Sequence, residues 1–114
     1  MTQPLISDGL IAFVKRACPT CSMIEPQIQE ASRTRRDFQV VTQDDAGFPA
    51  NVANLIDDRE LDNSYAAKIE ATPTLIHYAG GREVERVMGW DRAAWQRLTG
   101  IAALGNTLPP LVPG

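Results

Sequence analysis

Cysteine and histidine are scarce in this chain: its 114 residues hold two cysteines, Cys18 and Cys21, and one histidine, His77. A secreted disulfide framework spreads more cysteines along the chain, so that class is excluded. A structural zinc site takes four ligands, and two thiols with one imidazole fall short within a single chain. A basic excess is also missing. Lys and Arg number 11 against 14 Asp and Glu, for a net charge of −3, which excludes a general nucleic-acid binder. No long apolar run exists either. Stretches such as Leu10 to Val14 are far below the roughly 18 to 20 residues of a bilayer-spanning helix, so no membrane span is expected. Residues 1 to 9 lack the basic region of an export signal, so the expected compartment is the cytoplasm. With 44% apolar and 22% charged residues, neither a disordered nor a fibrous chain fits. One globular domain remains, able to bury roughly two-thirds of its unfolded surface without staples.

The apolar pattern orders the elements. Leu10 to Val14 reads as a buried strand, followed by Cys18-Pro19-Thr20-Cys21 and a helical spacing of Ile24, Ile28 and Ala31. Pro19 suits a first helical turn, and Pro26 predicts a kink inside the helix. Phe38 to Thr42 is a second strand. Gln43 to Asp58 is irregular, with a short helical turn expected over 51–56. Residues 58–68 look helical, with Leu61, Tyr65 and Ala66 facing inward. Thr74 to Tyr78 is a third strand, Gly80-Gly81 a tight turn, and Arg82 to Met88 a fourth strand. Asp91 is a fitting N-cap for a last helix bearing Ala94, Trp95 and Leu98. Residues 1–105 form the domain, and 106–114, with three prolines, reads as a flexible tail or linker. No internal repeat is evident. The order predicts a mixed four-stranded α/β sheet with helices on both faces.

The paired cysteines close too small a loop to restrict the unfolded chain much, so their value lies in chemistry. Cys18 is expected exposed at the helix start, where free N–H groups and the helix dipole favour negative charge. A thiolate there is a nucleophile. Cys21, one turn later on the same side, can attack a mixed disulfide formed at Cys18. Lys15 and Arg16 are candidates for added positive potential.

Cys18-Pro19-Thr20-Cys21 between strand and helix, Pro26 five residues later, Thr72-Pro73-Thr74-Leu75, the Gly80-Gly81 turn and Gly89 together resemble the thioredoxin superfamily, in order over roughly residues 10 to 104. The resemblance implies a thioredoxin-like fold lacking the N-terminal strand and helix of full thioredoxins. It implies a cis bond between Thr72 and Pro73, with the Thr72 backbone free to pair with an extended substrate. The implied substrate contacts are Pro19, Thr20, Thr72, Pro73 and Gly89. Trp90, next to Gly89, is a candidate docking surface, with core packing as its alternative. Some positions depart from the family pattern. Ala12 stands where a buried aspartate is common, Ala17 where a tryptophan is common, and residues 43–57 lengthen the span to Pro73.

The leading expectation is a thioredoxin-like thiol–disulfide oxidoreductase acting as a disulfide reductase on protein or small disulfides. A disulfide oxidase or isomerase, or a redox-sensing binding or adaptor domain of a larger protein, are the alternatives. No bound cofactor or metal is expected. The resemblance implies electrons from NADPH by way of a thioredoxin reductase, or another dithiol donor. A monomer is expected. His77 alternates along its strand and reads as structural. The acids Asp44, Asp45, Asp57, Asp58, Glu60 and Asp62 read as a solvated loop and helix start, with partner recognition as the alternative.

Overall fold

The computed structural model describes residues 5–114. Its centre is β1 (Gly9–Val14), with all six residues buried. A central strand covered on both faces reads as an unbroken apolar run, which is what this segment shows. Leu10, Ala12 and Val14 enter one core, while Ile11 and Phe13 enter the other, as the two-residue side-chain period requires.

β1 pairs in parallel with β2 (Phe38–Thr42) and antiparallel with β4 (Thr74–Ala79). β5 (Arg82–Met88) pairs antiparallel with β4 across Gly80 and Gly81, both at positive φ. These are the four strands predicted from the sequence. A short β3 (Leu55–Asp57) adds to β2 in parallel, giving the order β3-β2-β1-β4-β5. The helical turn expected over 51–56 is therefore corrected: β-branched Ile56 is buried against the sheet, in the second core.

The first helix is divided. α1 (Pro19–Met23) ends at Ile24, and α2 (Glu25–Thr34) starts anew with Pro26 in its first turn. Pro26 has no N–H to continue the first ladder, so the predicted kink is a full break. Ile24, Ile28 and Ala31 join Trp95 of α4 (Arg92–Thr99) and Leu104 in the core on one sheet face. Asp91 caps α4, its side chain accepting from the Ala94 N–H at 3.2 Å. The other face is covered by Leu5, Ile6, Ala67 and Ile69.

The helix expected over 58–68 is shorter and turned the other way. α3 spans Asp62–Ala66, with Leu61 46% and Tyr65 87% exposed, and Ser64 is its buried residue. Ala66 is exposed too. The cause is Asp58, itself buried. Its carboxylate accepts from the N–H of Asn63 at 3.0 Å, the N–H of Ser64 at 2.8 Å and the Ser64 hydroxyl at 2.6 Å. A buried carboxylate must be satisfied, so it draws the polar side of α3 inward and leaves Tyr65 outside. The Arg86 guanidinium then closes the far end by donating to the Ala67 and Lys68 carbonyls.

Residues 106–114 also differ from expectation. They lie against the domain instead of forming a free linker: β7 (Leu111–Val112) pairs antiparallel with β6 (Trp90–Asp91). The Trp90 indole donates to the Pro109 carbonyl at 2.9 Å, and Arg92 donates to the Leu108 carbonyl at 2.8 Å.

Replacing Asp58 with alanine strands two backbone donors and a hydroxyl in a buried place. The Asp58→Ala variant is expected to lose about 1–3 kcal/mol in urea unfolding, with Tyr65→Ser nearly neutral. Equal losses in both would refute the inverted packing.

Candidate active site

β1 ends at Val14, and four residues later Cys18 is the N-cap of α1, with Pro19 at its first position. The Cys21 N–H donates to Cys18 Sγ at 3.2 Å. The Cys18 thiol in turn donates to the Thr72 carbonyl, also at 3.2 Å. The Thr72–Pro73 peptide is cis, and both residues are buried at the start of β4. The Gly89 N–H donates to the Pro73 carbonyl at 2.7 Å, and the Gly89 carbonyl accepts from the Trp95 indole at 3.1 Å. Cys18, Cys21, Thr72, Pro73 and Gly89, spread over 72 positions of sequence, are thus joined at one end of the sheet.

Both cysteines are free thiols, and both are buried; Cys18 is 4% exposed and Cys21 fully enclosed. The exposed Cys18 expected from the sequence is corrected. Residues 112–114 lie against this end of the sheet. Thr20, 7% exposed, donates its hydroxyl to the Pro113 carbonyl at 2.7 Å. Pro19 stays exposed beside it. Trp90 is corrected as well. At 1% exposed it is core, stacked at a tilt on Trp95 with ring centroids 5.4 Å apart, and offers no docking surface. Its ring fits because Gly105 has no side chain; a Cβ there would stand 2.4 Å from the indole.

Burial, and after it the hydrogen bond with Cys18, pushes the Cys21 thiol up to about 12. Ala12, fully buried in the same core, brings no carboxylate to accept the Cys21 proton. Arg16 does not face the thiols. Its guanidinium pairs with Asp45 at 2.9 Å, and the Gly47 N–H together with that guanidinium holds Asp45 below the usual carboxylate range. Sequence reasoning missed the part played by Asp44. Its two oxygens accept from the Arg16 N–H at 2.7 Å and the Ala17 N–H at 2.9 Å, clamping the loop that presents Cys18. Separated by 27 and 28 positions, these partners carry no local signal. His77 pairs with Leu10 further along the sheet and takes no part. Among the described residues, no group of three or more His, Cys, Asp or Glu could hold a metal ion, and no helix is long and apolar enough to cross a membrane.

The chain is similar to known proteins. The chain is 33% identical over 85 residues to thioredoxin-2 of Saccharomyces cerevisiae, covering 75% of this chain and 70% of that one. It belongs to the thioredoxin family. No family model matches the sequence. Among solved structures, DsbF of MTB superposes with a TM-score of 0.67 at 14% identity, covering 84% of this chain and 81% of that one. A putative thiol:disulfide interchange protein DsbE from Chlorobium tepidum superposes at 0.63 and 21% identity, over 87% and 81% of the two chains. The fold is thioredoxin-like, and this thioredoxin-family chain is a thiol–disulfide oxidoreductase.

The enclosed Cys21 sets a pH dependence. If Cys21 resolves a mixed disulfide at Cys18, that step needs the Cys21 thiolate, whose fraction far below its pKa grows about tenfold per pH unit. In stopped-flow measurements the resolving step should therefore accelerate steadily from pH 7 to 10. A plateau near pH 8 would mean that Cys21 ionises like an exposed thiol.

Proposed function

We propose that this chain reduces disulfides with the Cys18–Cys21 dithiol. The observation that carries the reading is the contact chain from the Cys21 N–H to Cys18 Sγ and on to the Thr72 carbonyl. It aims a backbone donor at one sulfur and sets that sulfur beside a backbone acceptor. Cys18 as thiolate attacks one sulfur of the substrate disulfide, forming a mixed disulfide and releasing one substrate thiolate. The Cys21 thiolate then attacks Cys18 Sγ, forming the Cys18–Cys21 bond and releasing the second. Two electrons pass to the substrate, and the chain is left oxidised. An external dithiol donor restores it, in our reading a thioredoxin reductase supplied by NADPH. No bound cofactor enters the cycle. Pro19, Thr20, Thr72, Pro73 and Gly89 are the substrate contacts in this reading, with Thr72 touching the sulfur itself. A reducing compartment such as the cytoplasm suits this direction of electron flow.

The oxidase or isomerase reading rests on stabilising the dithiol form, which raises the potential. The potential decides between them. Equilibration in thiol buffers followed by acid trapping should give a value near thioredoxin's, about −270 mV; a value of about −180 to −120 mV would assign disulfide donation or isomerisation. Cys18→Ser should abolish disulfide reduction, and Cys21→Ser should accumulate mixed disulfides visible by mass spectrometry. Full activity in Cys18→Ser would refute the mechanism.

A further inference from the structure

Three of the backbone and side-chain positions around Cys18 are already occupied, and by the chain itself. The Pro113 carbonyl accepts from the Thr20 hydroxyl. Gly114 lies so close to Thr72 that a Cβ on it would stand 2.3 Å from the Thr72 carbonyl oxygen. A Cβ on Gly89 would meet the Val112 carbonyl at 2.9 Å and the Gly114 nitrogen at 3.2 Å. Thr20, Thr72 and Gly89 come from three separate parts of the chain, and a single extended segment touches all three.

We propose that Val112–Gly114 act as a pseudosubstrate strap, filling the groove by which a disulfide substrate reaches Cys18. This rests on the thiol–disulfide reading above. With the strap seated Cys18 is only 4% exposed, so a bulky disulfide cannot approach the sulfur in this form. Its attachment is uneven. Residues 108–110 are held by Trp90 and Arg92 through the Pro109, Leu108 and Pro110 carbonyls. Beyond them lies a two-residue strand, a pairing too short to be stable by itself. The distal end therefore peels while residues 108–110 stay docked. The strap also shows what the groove accepts. An extended backbone fits, with a carbonyl toward Thr20 and a residue without a side chain where it crosses Thr72. The matching substrate is a polypeptide segment that is extended and has glycine or another small residue at that crossing.

Two variants test this: Gly114→Val, whose side chain cannot fit against Thr72, and Val112→Asp/Gly114→Val, which also burdens the short strand. Neither touches the thiols. Two rates are read: iodoacetamide alkylation of Cys18 in the reduced chain, by mass spectrometry, and reduction of insulin with dithiothreitol as donor. Both should rise about tenfold, the effect of removing a modest local opening step. Unchanged alkylation in both variants would overturn the strap. Faster alkylation with unchanged insulin reduction would show a cover lying outside the substrate path, and would overturn the pseudosubstrate role. Alkylation needs no disulfide cycle. A chain unable to form the Cys18–Cys21 bond would thus defeat the oxidoreductase reading while still reporting on the strap.

Discussion

The position of β1 is the constraint on which the site depends. This strand has a neighbour on each side and a core on each face, and it contains no polar side chain. Its register is set twice, Phe13 opposite Thr74 on β4 and Val14 opposite Thr42 on β2. A slip of one residue would put Ile11 and Phe13 into the wrong core, so the end of the strand is fixed closely. Because β4 runs antiparallel, its start lies beside the end of β1. The residue just before that start, across Pro73, is Thr72, and the residue a short loop beyond β1 is Cys18. Their contact at 3.2 Å thus follows from strand register. Asp44, from the loop after β2, holds the intervening backbone of Arg16 and Ala17 in place.

What could be read from the sequence follows the range of the interactions. Local signals suffice for β1, the Pro19 start of α1, an interruption at Pro26, the Gly80-Gly81 turn and the Asp91 cap, though they give a kink at Pro26 where the helix divides. Each depends on neighbours within a few positions. Cys18 and Cys21 were legible for the same reason, since their chemistry is written in their spacing. The failures were decided by distant partners. Periodicity put Leu61 and Tyr65 inward, but the unsatisfied valences of buried Asp58 outweighed the apolar area of one tyrosine. Residues 106–114 look like a linker because proline-rich composition says nothing about an acceptor row that Trp90 and Arg92 can reach. Trp90 could be read as docking surface or core, and Gly105 decides for core by leaving room for the indole. The burial of Cys18 has no local signal either, since its thiol meets the Thr72 carbonyl 54 positions away.

The two thiols divide their tasks through burial. Cys21 is fully enclosed and keeps its proton far above neutral pH, while Cys18 has the Cys21 N–H pointed at its sulfur. A methyl group at Ala12 keeps the core beneath them apolar, which favours packing and denies Cys21 a proton acceptor. In the proposed cycle the first attack, by Cys18, is not hindered by this. The second requires Cys21 to lose a proton in a place built to retain it, so a substrate linked to Cys18 stays linked longer than it would beside a buried carboxylate. The Thr72 carbonyl connects this chemistry to access. In the closed form it accepts the Cys18 thiol proton and is crowded by Gly114 at the same time. An extended substrate that pairs with Thr72 must displace the strap, and in doing so takes over the acceptor that held the thiol proton. Binding and the release of the Cys18 thiol from its backbone acceptor then become one event, centred on a single carbonyl oxygen.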